Sequence, residues 1–159
     1  MTEKLKLEEA AAEYFVAAYN KLHKAQFVLR RHRDRPDFLA TDGSPKNIVG
    51  IEITHLYYGS EEAKFLFNKT DKDLTGPISA DGMIRNLNAL LAHKSAQAEK
   101  YNFDHPVILV VRVASPVFDI APFEILSDEI VVPSNRFSEI WLLARDEGDG
   151  SWGELKQLK

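Results

Sequence analysis

Two carboxylates stand where neighbouring strands would bring them together. Asp37 follows Pro36 at the start of Pro36-Asp37-Phe38-Leu39-Ala40, and Glu52 sits in the middle of Val49-Gly50-Ile51-Glu52-Ile53-Thr54. Side chains alternate faces along a strand. Val49, Ile51 and Ile53 therefore face one way, and Gly50, Glu52 and Thr54 the other. A carboxylate inside an apolar strand is costly unless it is paired, protonated or metal-bound. Pro36 has a fixed φ and no N–H, which suits the start or edge of a strand. Two carboxylates from adjacent strands can converge on one hard cation, magnesium or manganese. An ion held there polarises a phosphoryl oxygen and activates a water. The plainer alternative is a turn-proximal Asp and a strand Glu that both face solvent.

The elements around this pair follow from periodicity. Leu7, Ala11, Tyr14, Phe15, Ala18 and Leu22 recur at helical spacing, which predicts an amphipathic helix from about Leu7 to Lys24. A basic stretch follows, with Lys24, Arg30, Arg31, His32, Arg33 and Arg35. The run from Pro36 to Ala40 reads as a short strand and the β-branched run from Ile48 to Leu56 as a second one. Asp42-Gly43-Ser44-Pro45 between them is turn chemistry, so the two strands form a hairpin. The polar region from Tyr57 to Gly82 reads as a long loop with one helical turn. A second helix is expected from about Asp81, its N-cap, to Asn102. Val107 to Val111 is a continuous apolar run, the mark of a central strand buried on both faces. Phe118 to Pro133 reads as a loop with a short helix or strand, and Phe137 to Arg145 as another strand. After Asp146 the tail is Gly-rich and then charged, and reads as a peripheral edge or a fraying end.

The second helix adds an independent observation. Met83, Leu87, Leu90, Leu91, Ala98 and Tyr101 cover one face of it, Lys94 falls inside that face, and Lys100 falls well outside. A lysine directed at the sheet either snorkels outward or pairs with a buried carboxylate, and Glu52 and Asp37 are the obvious partners.

Arg35-Pro36-Asp37-Phe38, a turn, and then Gly50-Ile51-Glu52-Ile53-Thr54 resembles the PD-(D/E)XK nuclease superfamily. The similarity covers roughly Leu7 to Arg145, and its sharp motifs lie between Asp37 and Thr54. It implies a restriction-endonuclease-like α/β core: a central mixed sheet flanked by helices, in αββαβ order with a further strand. The whole chain, 1–159, would be one nuclease-like domain. In that superfamily the Asp and the Glu hold the metal, and Asp37 and Glu52 match them. A lysine two residues after the Glu assists the attacking water, and Thr54 occupies that place here; strand propensity alone accounts for a threonine there. Some members move the lysine onto the following helix, and Lys94 is placed to do this. The first helix often supplies another acid. Glu8 borders its apolar face, whereas Glu9 and Glu13 point away; the plainer role for Glu8 is a first-turn acid that suits the helix dipole.

The resemblance implies hydrolysis of a nucleic-acid phosphodiester, DNA ahead of RNA, with Mg2+ or Mn2+ as cofactor. The catalytic set would be Asp37, Glu52, Lys94, Thr54 and Glu8. Arg30, Arg31, Arg33 and Arg35 abut the proposed centre and would grip phosphates, although a basic stretch is more often a solvated surface. The competing expectation is a nuclease scaffold without activity, serving as a protein-binding or nucleic-acid-binding module. Thr54 and the acidic net charge both favour it. Sheet-edge or helix pairing leaves a homodimer open.

Bulk properties set the remaining limits. The chain has 159 residues, 45% of them apolar and 28% charged, which suits one globular core. Its net charge of −4 means that any nucleic-acid contact must come from a local basic patch. There is no cysteine, which excludes disulfides, thiolate zinc sites and cysteine nucleophiles. The first residues do not read as a secretory signal and no apolar run approaches a membrane span, so no membrane partner and a cytoplasmic location are expected. His55 faces away from Glu52 and reads as a core or edge residue. His32, His93 and His105 lack ligand spacing, and Trp141 and Phe137 read as core.

Overall fold

The computed structural model describes residues 2–32, 35–57, 80–114, 120–145 and 152–159. Helix α1 spans Glu3–His23, with the Thr2 side chain accepting a hydrogen bond from the Leu5 N–H at 3.2 Å as its N-cap. Its buried face is Glu8, Ala11, Ala12, Phe15 and Val16. Tyr14 and Leu22, expected in the apolar face, are exposed. Because the helix begins at Glu3, Glu8 lies beyond the first turn and its position is not a dipole effect. Lys24 ends the helix in the left-handed conformation, with φ 53°. The Asn20 side chain then clamps both the N–H and the C=O of Phe27 at 3.0 Å.

That clamp turns the basic stretch into a strand. β1 (Val28–Arg31) pairs antiparallel with β2 (Phe38–Thr41), which pairs antiparallel with β3 (Ile48–Leu56). β1 was not expected, because Val28-Leu29-Arg30-Arg31 has one apolar pair and no alternation long enough to announce it. The turn between β2 and β3 is built by Asp42, whose carboxylate accepts from the Ser44 N–H at 2.9 Å and the Asn47 amide at 2.8 Å. Helix α2 spans Ala80–Ala98, so Asp81 lies in the first turn and not at the N-cap, and Tyr101 lies past the helix end. β4 (Val107–Val113) runs parallel to β3, β5 (Glu139–Arg145) parallel to β4, and β6 (Trp152–Gln157) antiparallel to β5 as an edge. A short helix α3 (Ala121–Ile125) and a 3-10 turn (Ser127–Glu129) precede β5.

The fold is thus α/β, with one six-stranded mixed sheet in the order β1-β2-β3-β4-β5-β6. Helix α1 packs Ala11, Ala12 and Phe15 on Ile51, Ile53, Ile108, Val110 and Trp141 on one face. Helix α2 packs Met83, Leu87 and Leu91 with Leu109, Val111, Ile140 and Leu142 on the other. Both faces of β4 are covered, as its unbroken apolar run requires, and Trp141 and Phe137 are core residues. Among the described residues no helix is long and apolar enough to cross a membrane. The expected loop from Tyr57 to Gly82 falls almost wholly outside the described residues, as does Arg33.

Candidate functional site

The register between β2 and β3 ends at Phe38 opposite Ile51. Among the described residues, β3 continues to Leu56 paired only to β4 on its far side. From Glu52 onward its near edge has no strand partner among them, and backbone donors on such an edge need partners. Asp37 provides one: its Oδ2 accepts the Ile53 N–H at 3.0 Å. The Asp37 N–H in turn donates to Glu52 Oε1 at 3.2 Å. The two acids thus tie the diverging strands together across the fork. Asp37 lies one residue before β2 and not within it, which is what frees its side chain to cross the gap.

Glu52 is fully buried, on the α2 side of the sheet. Gly50, two residues earlier on that face, lets the Pro36 ring and Phe103 close over the strand; a Cβ there would lie 2.4 Å from Pro36 Cγ and 2.9 Å from Phe103 Cε1. Glu52 Oε2 accepts a hydrogen bond from the Tyr101 hydroxyl at 2.8 Å and from Arg35 Nη1, and Lys94 Nζ stands 3.7 Å away. Arg35 Nη1 is also 3.7 Å from Asp37 Oδ1. Burial, followed by the Asp37 charge, raises the Glu52 pKa, while the Tyr101 hydrogen bond and Arg35 oppose the shift. Burial lowers the Lys94 pKa and Glu52 draws it back up. Burial also raises Tyr101, and the charge of Glu52 raises it further.

Helix α1 closes the cluster from the other face. Glu8 is buried, 3.9 Å from Lys4, and its pKa is raised first by burial and then by Asp37. An open cleft of about 830 Å³ runs past Lys4, Glu8, Arg31, His32, Arg35, Asp37, Lys100 and Tyr101. A second, of about 380 Å³, shares Lys4, Glu8 and Arg35 and continues to Thr54, His55 and Lys94. Thr54 is buried on the Glu52 face.

Asp37 and Glu8 line the larger cleft and Glu8, Thr54 and Lys94 the smaller one, while Glu52 is buried beneath them and lines neither. Lys94 reaches Glu52 and makes no ion pair with Asp37. The arginines divide. Arg35 is inside the site, Arg31 lines the larger cleft and pairs with Glu9 at 2.5 Å, and Arg30 is exposed on β1 and lines neither cleft. Lys100, outside the apolar face of α2 by its spacing, lines the larger cleft from beyond the helix end. Tyr101 and Lys4 are site residues that the sequence did not single out. The Tyr101 ring packs edge-on against Phe137 at 6.2 Å, as its place in the apolar stripe implied, but its hydroxyl tip reaches the buried carboxylate.

The donor set offers a hard divalent cation two neighbouring carboxylates, Asp37 and Glu52. Among the described residues no three His, Cys, Asp or Glu side chains are grouped to hold an ion. Two carboxylates already converge on one cationic group, Arg35, and magnesium is commonly held by one or two carboxylates with water and phosphate completing its shell. No protein-family model matches the chain, and no curated protein or solved structure matches it.

Proposed function

We propose that this chain is a metal-dependent nuclease of the PD-(D/E)XK kind, with β2, β3, α2 and β4 as its restriction-endonuclease-like core. The supporting observation is the fork: Asp37 and Glu52 leave adjacent strands and meet at one cation, with Lys94 of the facing helix 3.7 Å from Glu52. Asp37 and Glu52 would hold Mg2+ or Mn2+. When bound, such an ion would supply a Lewis acid for the phosphoryl oxygen and lower the pKa of water so that hydroxide, the nucleophile, is available near neutral pH. Lys94, buried against Glu52 and lowered in pKa, is suited to exchange a proton with that water or to steady charge on the phosphate. Thr54 lines the same cleft and can hold a water through its hydroxyl. Glu8 contributes a third carboxyl at the cleft wall, its raised pKa suiting it to carry a proton. Lys4, Lys100 and Arg31 line the larger cleft and would track the phosphate backbone, with DNA preferred to RNA.

The test is cleavage of single- and double-stranded DNA and RNA with Mg2+ or Mn2+. Asp37→Asn and Glu52→Gln should each lower the rate by on the order of 100-fold or more, and Lys94→Ala by about the same. Cleavage that persists in Asp37→Asn eliminates this centre.

A second reading, a nuclease scaffold that only binds, is favoured by one observation. Glu52 Oε2 is engaged by Tyr101 and Arg35. Nucleic-acid binding with no cleavage in any divalent cation would support that reading.

A further inference from the structure

We infer that Arg35 is the resident cation of the carboxylate pair, and that a divalent cation binds only as Arg35 leaves it. The inference rests on the metal-site reading above. Glu52 Oε1 is held by the Asp37 N–H. Glu52 Oε2 takes Tyr101 and Arg35, with Lys94 just beyond. A hard cation bridging the two acids through Asp37 Oδ1 and Glu52 Oε2 finds Oδ1 free of hydrogen bonds among the described residues but both acceptor sites of Oε2 taken, so one of the Oε2 donors must move. The Lys94 side chain is only 12% exposed, whereas that of Arg35 is 52% exposed and borders both clefts.

Deprotonation offers no escape, because a guanidinium stays charged. Arg35 can vacate the niche only by rotating into the clefts it already lines. Its charge repels an incoming divalent ion as long as it stays. Once displaced, its planar fork lies beside Lys4, where a phosphodiester would run, and it can take two phosphate oxygens there. Arg35 therefore opposes the metal while it holds the carboxylates and favours nucleic acid once it has left them. Affinity for the metal and affinity for the strand are coupled through one side chain.

Calorimetric titration of Mn2+ into wild type, Arg35→Gln and Arg35→Gln/Asp37→Asn tests this without any activity readout. Arg35→Gln should bind Mn2+ more tightly, by on the order of tenfold or more, and the double variant should lose that binding. In the same variant, affinity for a single-stranded DNA oligonucleotide measured with Ca2+ should fall. If Arg35→Gln folds poorly, the neutral Arg35→Met carries the comparison: its Mn2+-induced rise in Tm should exceed that of wild type, because a ligand that binds the folded state raises Tm. Equal or weaker Mn2+ binding in Arg35→Gln, with binding lost in Arg35→Gln/Asp37→Asn, overturns the role of Arg35 and leaves the metal site standing. Absence of Mn2+ binding in both wild type and Arg35→Gln overturns both.

Discussion

At His55 burial, followed by the charge of Arg112, holds the imidazole pKa down at about 4. Arg112 Nη1 lies 3.4 Å from His55 Nδ1, and an arginine can only donate, so the ring accepts there. Nε2 is buried and has no hydrogen-bond partner among the described residues. The unfolded chain protonates this histidine near 6.5, before the folded protein does. Stability from neutral His55 is thus fully present above that value and is lost as pH falls through it toward about 4. The loss should reach about 3 kcal/mol. Urea denaturation of wild type and His55→Gln at pH 7 and pH 4.5 measures it, and an unchanged pH dependence in the variant would refute it. The same scale shows what the sequence could reveal of the site. Glu52 and Lys94 were legible because strand alternation and helical spacing each placed a charge on an apolar face. Asp37 was legible only beside them. Arg35 was legible as one cation of a basic run beside the carboxylates but not as the partner of Glu52, and Tyr101 was hidden in an apolar stripe. Neither signal says which polar tip turns inward.

The fork between β2 and β3 depends on Gly50 more than on either acid. Its α-hydrogen lets the Pro36 ring lie against β3, which sets the position of the two neighbours of Pro36, Arg35 and Asp37, over Glu52. Gly50→Ala places a methyl group within contact of Pro36 and Phe103, neither of which is a flexible chain end. Overpacking of this kind costs about 1–3 kcal/mol. Urea denaturation should show that loss, and cleavage should fall further than the stability change explains, because Asp37 shifts from Glu52. A variant with wild-type stability and activity would show that the seat of Pro36 is unimportant. Element by element, the long periodic segments were readable: α1, β3, α2, β4 and β5 all form where their spacing puts them. β1 was not, because four residues with two arginines carry too little pattern. Its strand state comes from pairing with β2 and from the Asn20 clamp on Phe27, which are tertiary facts. The helix ends shifted for a similar reason, since Thr2 caps α1 one turn earlier than its first apolar residue suggests.

The molecule as a whole carries a charge of −4, so it has no long-range attraction for a polyanion. Binding must then rest on the few cations that line the larger cleft. Lys4 extends from α1 and Lys100 from beyond the end of α2, on opposite sides of the sheet, and they bracket the carboxylates. Arg31 shares its charge with Glu9 and contributes less. Each cation that meets a phosphate releases a counterion, which makes affinity fall with salt by about 0.7 to 0.9 in log K per log salt for each contact. In an Asp37→Asn background that does not cut, single-stranded DNA should bind with a measurable salt slope. Adding Lys4→Ala and Lys100→Ala should reduce its magnitude by roughly 1.5 in total. Arg30→Ala should leave it unchanged, because Arg30 is exposed on β1 and borders neither cleft. Fluorescence anisotropy across a range of salt concentrations reads all three slopes. If Arg30→Ala flattens the slope as much as the two lysine changes do, nucleic acid crosses β1 instead of the fork. The cleft would then not be the path of the strand, and the hydrolytic reading would lose its substrate.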